Sequence, residues 1–140
     1  MLEIDPKLLL KEAIKAREKA YVPYSNMAVG AALLAKDGKI YTGCNIESAS
    51  FTPSNCAERK AFFKAVSVGI YDFSAIAIVG GKKGQEINGI FPPCGVCRQV
   101  MMEFCNPKVF KVILGKTKDS YEIFTLEELM PMGFGPNNMK

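Results

Sequence analysis

Segments of helical period and segments of strand character alternate along this chain, and that alternation limits the possible folds more than any other feature. A helix buries one stripe and a strand at least one face, so a chain that alternates them finds its core by laying helices on a sheet. Asp5 and Pro6 form an N-cap and first-turn pair, and Leu9, Ala13, Ala16 and Ala20 follow at helical spacing. "AVGAALLA", Asp37-Gly38 and "KIYTGC" read as a hairpin with a tight turn, and the Ser-, Asn- and Pro-rich "NIESASFTPSN" as a loop. A second helix starts near Cys56 and runs through "AERKAFFKAVSV", with Gly69 placed as its stop. "FSAIAIVG" is a buried strand by its β-branched content, and "GKKGQEINGIFPP" is a loop. A third helix begins near Cys94 and continues as "RQVMMEFC", after which "KVFKVILG" and "YEIF" are expected as strands around a polar turn. Thr125 and Glu128 have capping-box spacing for a short last helix that Pro131 ends. The expected architecture is α/β, a mixed sheet with helices on its faces.

At 140 residues the chain is long enough for one core and too short for two, so a single domain over 1–140 is expected. Its apolar runs, such as the one within "FSAIAIV", are far short of the ~20 residues that span a bilayer. The first twenty residues carry charge throughout and are not expected to act as a secretory signal. The formal charge is +4, but the lysines sit in separated groups with acids interspersed, so a solvated surface is expected rather than a nucleic-acid-binding stripe. Five cysteines without an export signal argue against a disulfide framework.

Histidine is absent. A transition-metal site must therefore use sulfur and carboxylate, and a general acid or base must be Glu, Asp, Lys, Tyr or Cys. Cys94 and Cys97 lie one turn apart at a helix start, and Cys56 opens another helix. Both places offer unpaired N–H groups and the positive end of a helix dipole, which favour thiolate over thiol. Three thiolates converging there would suit zinc. A thioredoxin-like redox pair is a rival reading, though it leaves Cys56 and Glu58 without a role. A closed structural zinc site with Cys44 or Cys105 as fourth ligand is another, although those two could equally be small buried hydrophobes. Glu58, on the first turn after Cys56, favours an open site at which a carboxylate acts as base; its plain alternative is a surface Glu complementing the dipole.

"CAERKA" together with "PPCGVCRQVMMEF" resembles cytidine deaminase, the small homotetrameric kind with a three-cysteine zinc site. The likeness covers roughly Tyr21 to Pro136, including "VPYSNMAVGAALLAKDGKIYTGCNIESAS" and "LEELMPMGFGP". It implies a three-layer sandwich built on a mixed, mostly parallel sheet of about five strands with helices on both faces. It implies one zinc per subunit held by Cys56, Cys94 and Cys97, the ligand set known for zinc deaminases, with Glu58 as the proton shuttle that is not a ligand. Asn45 and Glu47 match a pair that hydrogen-bonds the ribose hydroxyls, the Ala57 N–H a contact to the pyrimidine carbonyl, and Arg59 an arginine that hydrogen-bonds the zinc thiolates. Phe134 matches an aromatic that reaches into the neighbouring subunit and stacks on the base. Met27 stands in the pocket wall where relatives usually carry Phe, Phe51 replaces a common Tyr, and Val96 sits where Ala is usual.

The activity implied is hydrolytic loss of ammonia from C4 of cytidine and 2′-deoxycytidine, a cytoplasmic step of pyrimidine salvage carried out by a homotetramer with shared active sites. Three thiolates against one dication leave a surplus negative charge. Two helix N-termini contribute roughly half a positive charge each, and Arg59 could add a charged hydrogen bond. Rival activities are deamination of cytosine in RNA or DNA and of a nucleoside-like antibiotic; a structural zinc-binding interaction module is the rival from another class.

Overall fold

The computed structural model describes residues 3–140, folded as α1 (Pro6–Arg17), β1 (Met27–Ala35), β2 (Ile40–Cys44), α2 (Ala57–Ser67), β3 (Phe73–Lys82), α3 (Gly95–Phe104), β4 (Lys111–Gly115), β5 (Tyr121–Thr125), α4 (Leu126–Leu129) and a final 3₁₀ turn, Pro136–Met139. The strands form one sheet in the order β2-β1-β3-β4-β5. Asp5 caps α1 by accepting from the Leu8 N–H at 3.3 Å, and the capping box at α4 is formed by Thr125 and Glu128, both as their spacing requires.

Strand β1 explains the three layers. Its even-numbered Ala32 and Leu34 pack with Leu9, Leu10 and Ala13 of α1, while its odd-numbered Val29, Ala31, Leu33 and Ala35 join Ala57, Ala61 and Phe62 of α2 and Met101 of α3. With helices on both faces, every side chain along "AVGAALLA" is buried, and so the run is apolar rather than alternating.

The sheet is mixed, as expected, but not mostly parallel: β1–β2, β1–β3 and β4–β5 are antiparallel, and only β3–β4 is parallel. Link length is the reason. Short turns join β1 to β2 and β4 to β5, and such links permit only antiparallel neighbours, whereas α3 supplies the crossover that β3 and β4 need. Strand β4 also starts later than expected. Residues 107–109 form a turn because the Asn106 side chain accepts from the Lys108 N–H at 3.1 Å and its carbonyl accepts from Val109 and Phe110. Strand β3 runs longer than expected, to Lys82, where it pairs with Met27. Helix α1 ends at Arg17; Ala20 is buried beyond it, beside Val22, Ala28 and Cys44. No helix among the described residues is long and apolar enough to cross a membrane.

Candidate functional site

Helices α2 and α3 begin in the same way. Cys56 (φ −77°, ψ 152°) and Cys94 (φ −68°, ψ 167°) are their extended N-caps, and neither side chain caps its own helix. Their carbonyls accept the first helical bonds, from Lys60 at 3.1 Å and Arg98 at 3.0 Å, so the sulfurs are left free to turn toward each other. Cys97 sits one turn into α3 and is buried. The three sulfurs lie within 4.8 Å of one another, with Cys94 and Cys97 at 3.5 Å.

Contacts of three kinds fix these helix starts in place. Phe62 of α2 meets Phe73 edge-on at 5.1 Å and stacks with Phe104 of α3 at 6.2 Å, pairs worth roughly 0.5–1.5 kcal/mol each beyond their burial. Gly43 of β2 lies so close beneath α2 that a Cβ there would strike the Ala57 carbonyl and come within 2.9 Å of the Ala61 nitrogen. Arg98 donates to the Pro93 carbonyl at 2.8 Å and to the Leu129 carbonyl, tying the chain that enters Cys94 to the end of α4.

The donor set fits zinc. Tetrahedral zinc with Zn–S of about 2.3 Å requires sulfurs roughly 3.8 Å apart, inside the observed span. The neighbouring Cys97 sulfur, and then Arg59, hold the Cys56 thiol well below its ordinary value, and the nearby Cys56 in turn drives the Cys97 thiol upward. Arg59 donates to the Cys56 sulfur at 3.2 Å, and its buried Nε–H has no partner among the described residues, leaving positive charge beside an electron-rich sulfur set. Cys44 and Cys105 stand outside the cluster. Cys44 packs with Ala20, Val22 and Ala28, and burial pushes the Cys105 thiol up. A fourth thiolate is therefore not at hand among the described residues.

Glu58, 5% exposed, is the one charged side chain buried to this degree among the described residues. Burial, reinforced by the neighbouring Cys56 charge and opposed by its own backbone N–H, pushes its pKa up to about 7. A carboxyl poised there can both take and give a proton near neutral pH. It lines a cavity of about 170 Å³ with Met27, Asn45, Cys56, Ala57 and Cys94, which brings six of the expected residues to one place. The Ala57 N–H, at the first helical position, has no intrahelical acceptor. The Asn45 amide accepts from the Val29 N–H at 2.9 Å and donates to the Met27 carbonyl at 2.8 Å. Glu47 lines the adjoining cavity of about 420 Å³, with Tyr24, Ser25 and Phe51. Phe134 enters neither cavity of its own chain; the residue is 57% exposed and its carbonyl accepts from Gln99 at 2.8 Å.

Sequence reasoning missed Ser25, Val29, Phe91 and Pro92, which complete the smaller cavity, and Arg98 behind it. Pro92 opens a conspicuous "PPC" and Phe91 precedes it, so their place beside the metal motif is the available signal. Ser25 belongs to a turn whose partner is 22 residues away, and nothing local marks it.

The family model for the cytidine and deoxycytidylate deaminase zinc-binding region matches residues 4–113. A cytidine deaminase of Sporosarcina psychrophila is 48% identical over 136 residues, covering 97% of this chain and 96% of its own. One from Halalkalibacterium halodurans is 51% identical over 136 residues, covering 97% and 98%. The crystal structure of cytidine deaminase from Burkholderia pseudomallei superposes with a TM-score of 0.83 at 44% identity, over 94% of this chain and 100% of that one.

Proposed function

The chain belongs to the cytidine and deoxycytidylate deaminase family, and from that premise we propose that it catalyses hydrolytic deamination of cytidine and 2′-deoxycytidine to uridine and 2′-deoxyuridine with release of ammonia. The observation that carries this reading is the meeting of three sulfurs from two helix starts with one buried carboxyl on a small cavity. Cys56, Cys94 and Cys97 hold one zinc per subunit. Bound there, zinc supplies the Lewis acidity that makes water a nucleophile near neutral pH, lowering its pKa from about 15.7 toward about 7.

The remaining work falls to the chain's own groups. A Glu58 carboxylate oxygen takes a proton from the hydrolytic water and passes it to N3 of the ring, which makes C4 more electrophilic. Hydroxide adds to C4, and the same carboxylate takes the remaining proton from the added oxygen and gives it to the amine as the C4–N bond breaks and the C4 carbonyl forms, an acid–base role worth roughly 10²–10⁴-fold. The free Ala57 N–H donates to the pyrimidine carbonyl, Asn45 and Glu47 hold the sugar, and Met27, Val29 and Phe91 wall the base off from water. Arg59 drains charge from the Cys56 sulfur through its hydrogen bond, offsetting the surplus of three thiolates.

The exposed Phe134 supports a second element of the reading: a homotetramer in which this ring completes a neighbour's site by stacking on the base. Residues 1–140 act as one catalytic domain, cytoplasmic and serving pyrimidine salvage. This reading takes a free nucleoside rather than nucleic acid as the substrate, and it is supported by the two cavity linings, which carry no Lys or Arg that would track a phosphate backbone. The test is to follow conversion of cytidine, 2′-deoxycytidine and a cytosine-containing oligonucleotide by purified protein. Turnover of both nucleosides with an inert oligonucleotide is expected; deamination of the oligonucleotide alone would overturn the assignment.

A further inference from the structure

The Glu47 carboxylate is held by three donors from one short turn. Its Oε1 accepts from the Tyr24 and Ser25 N–H groups, each at 3.1 Å, and its Oε2 accepts from the Ser25 hydroxyl. The Ser25 oxygen accepts in turn from the Met27 N–H at 3.0 Å. The turn itself is held in a tightly wound form, because Asn26 adopts a left-handed φ of 61° and its carbonyl accepts from Lys83 at 2.9 Å. Ser25 is also common to the walls of both cavities.

A carboxylate has about four acceptor sites, and three of these are filled from inside the protein. One site remains for a substrate hydroxyl. The Ser25 hydroxyl has one proton, and that proton is spent on Oε2, while the Met27 N–H fixes the direction in which it points. We propose that Ser25 is a positioning residue that locks the Glu47 carboxylate with its one open acceptor site toward the sugar, and so sets affinity for the nucleoside. This rests on the sugar-binding role given to Glu47 above. The carboxylate is correspondingly held below the ordinary glutamate range, with the Ser25 hydroxyl as the leading cause.

Removing the hydroxyl frees Oε2 and the Met27 N–H but leaves Oε1 on its two backbone donors, so Glu47 stays nearby with its orientation lost. None of the zinc ligands and no atom of Glu58 is bonded to Ser25. The loss therefore belongs in KM rather than in kcat. The experiment uses the zinc-loaded, full-length protein and compares Ser25→Ala, Ser25→Thr, Glu47→Gln and Ser25→Ala combined with Glu47→Gln. Each is measured for KM and kcat with cytidine, and for the dissociation constant of uridine by calorimetry. Expected for Ser25→Ala are about a tenfold rise in KM and in the uridine dissociation constant, with kcat changed less than about twofold. Ser25→Thr restores most of the loss, and adding Ser25→Ala to Glu47→Gln costs little more, because the first acts through the second. Fully additive losses, or a fall in kcat at unchanged KM, would overturn the proposal. Should Glu47→Gln weaken binding while Ser25→Ala is silent, the proposal fails and the sugar-binding role stands; should Glu47→Gln itself be silent, both fall.

Discussion

Replacing Gly43 by Ala is expected to damage catalysis out of proportion to the stability it removes. The new methyl would strike the Ala57 carbonyl and come within 2.9 Å of the Ala61 nitrogen and 3.2 Å of Lys60 Cβ. Two of these three are backbone atoms of α2, so no rotamer change relieves the contact and the helix itself must lift from the sheet. Overpacking of this kind costs roughly 1–3 kcal/mol. At this chain length that is a fall in Tm of roughly 3–12 °C. The helix that lifts carries Cys56 at its cap and Glu58 in its first turn, while Cys94 and Cys97 stay with α3. Misplacing reacting groups by about 1 Å costs on the order of 10²-fold in rate. Gly115→Ala is the control. Its methyl meets Leu10 Cδ1 and, at 2.7 Å, Val79 Cγ1, side-chain atoms on the opposite face of the sheet from the site, so the strain it creates falls away from α2. Thermal unfolding, zinc content and kcat would be measured for both variants. The reasoning is refuted if kcat in Gly43→Ala falls no further than in Gly115→Ala.

Arg59→Gln removes a charged hydrogen bond from the Cys56 sulfur and should lower turnover about tenfold while zinc is retained; wild-type turnover would remove the electronic role assigned to it. Cys44→Ser and Cys105→Ser should each still bind one zinc per chain by elemental analysis, because neither sulfur belongs to the cluster, and loss of zinc in either would contradict the three-sulfur site. At α4 the Thr125 backbone N–H, followed by its hydroxyl, holds the Glu128 carboxyl below its ordinary value of 4.5. A depressed folded-state pKa stabilises above the unfolded value and is lost as pH falls through the folded one. The Tm gap between wild type and Glu128→Gln should therefore be present at neutral pH and close in strong acid; a gap independent of pH would refute this.

Periodicity exposed the elements because burial on one or two faces writes itself directly into residue order, as along Met27–Ala35. Pairing direction leaves no such mark. A strand in an antiparallel pair and one in a parallel pair carry the same apolar residues, and so the mostly parallel expectation failed where Phe73–Lys82 lies beside Met27–Ala35. The turn at 107–109 is hidden in the sequence because the β-propensity of the apolar Val109 and Phe110 masks the Asn106 bonds that form it. At the site, Cys56, Glu58, Cys94 and Cys97 were legible because a ligand set repeats a fixed spacing at a helix start. Ser25 and Arg98 were not, because their partners, Glu47 and Leu129, are brought to them only by the fold. Phe134, an exposed residue beside α3, carries no local pattern that says what it stacks on, and only the family likeness points to it.

The central claim is that a three-sulfur zinc site works with one buried carboxyl that moves protons without holding the metal. Zinc content and uridine formation measured side by side on Glu58→Gln test it most directly. One zinc per chain with turnover reduced by at least about 10²-fold is the predicted result; wild-type turnover in that variant would contradict the account.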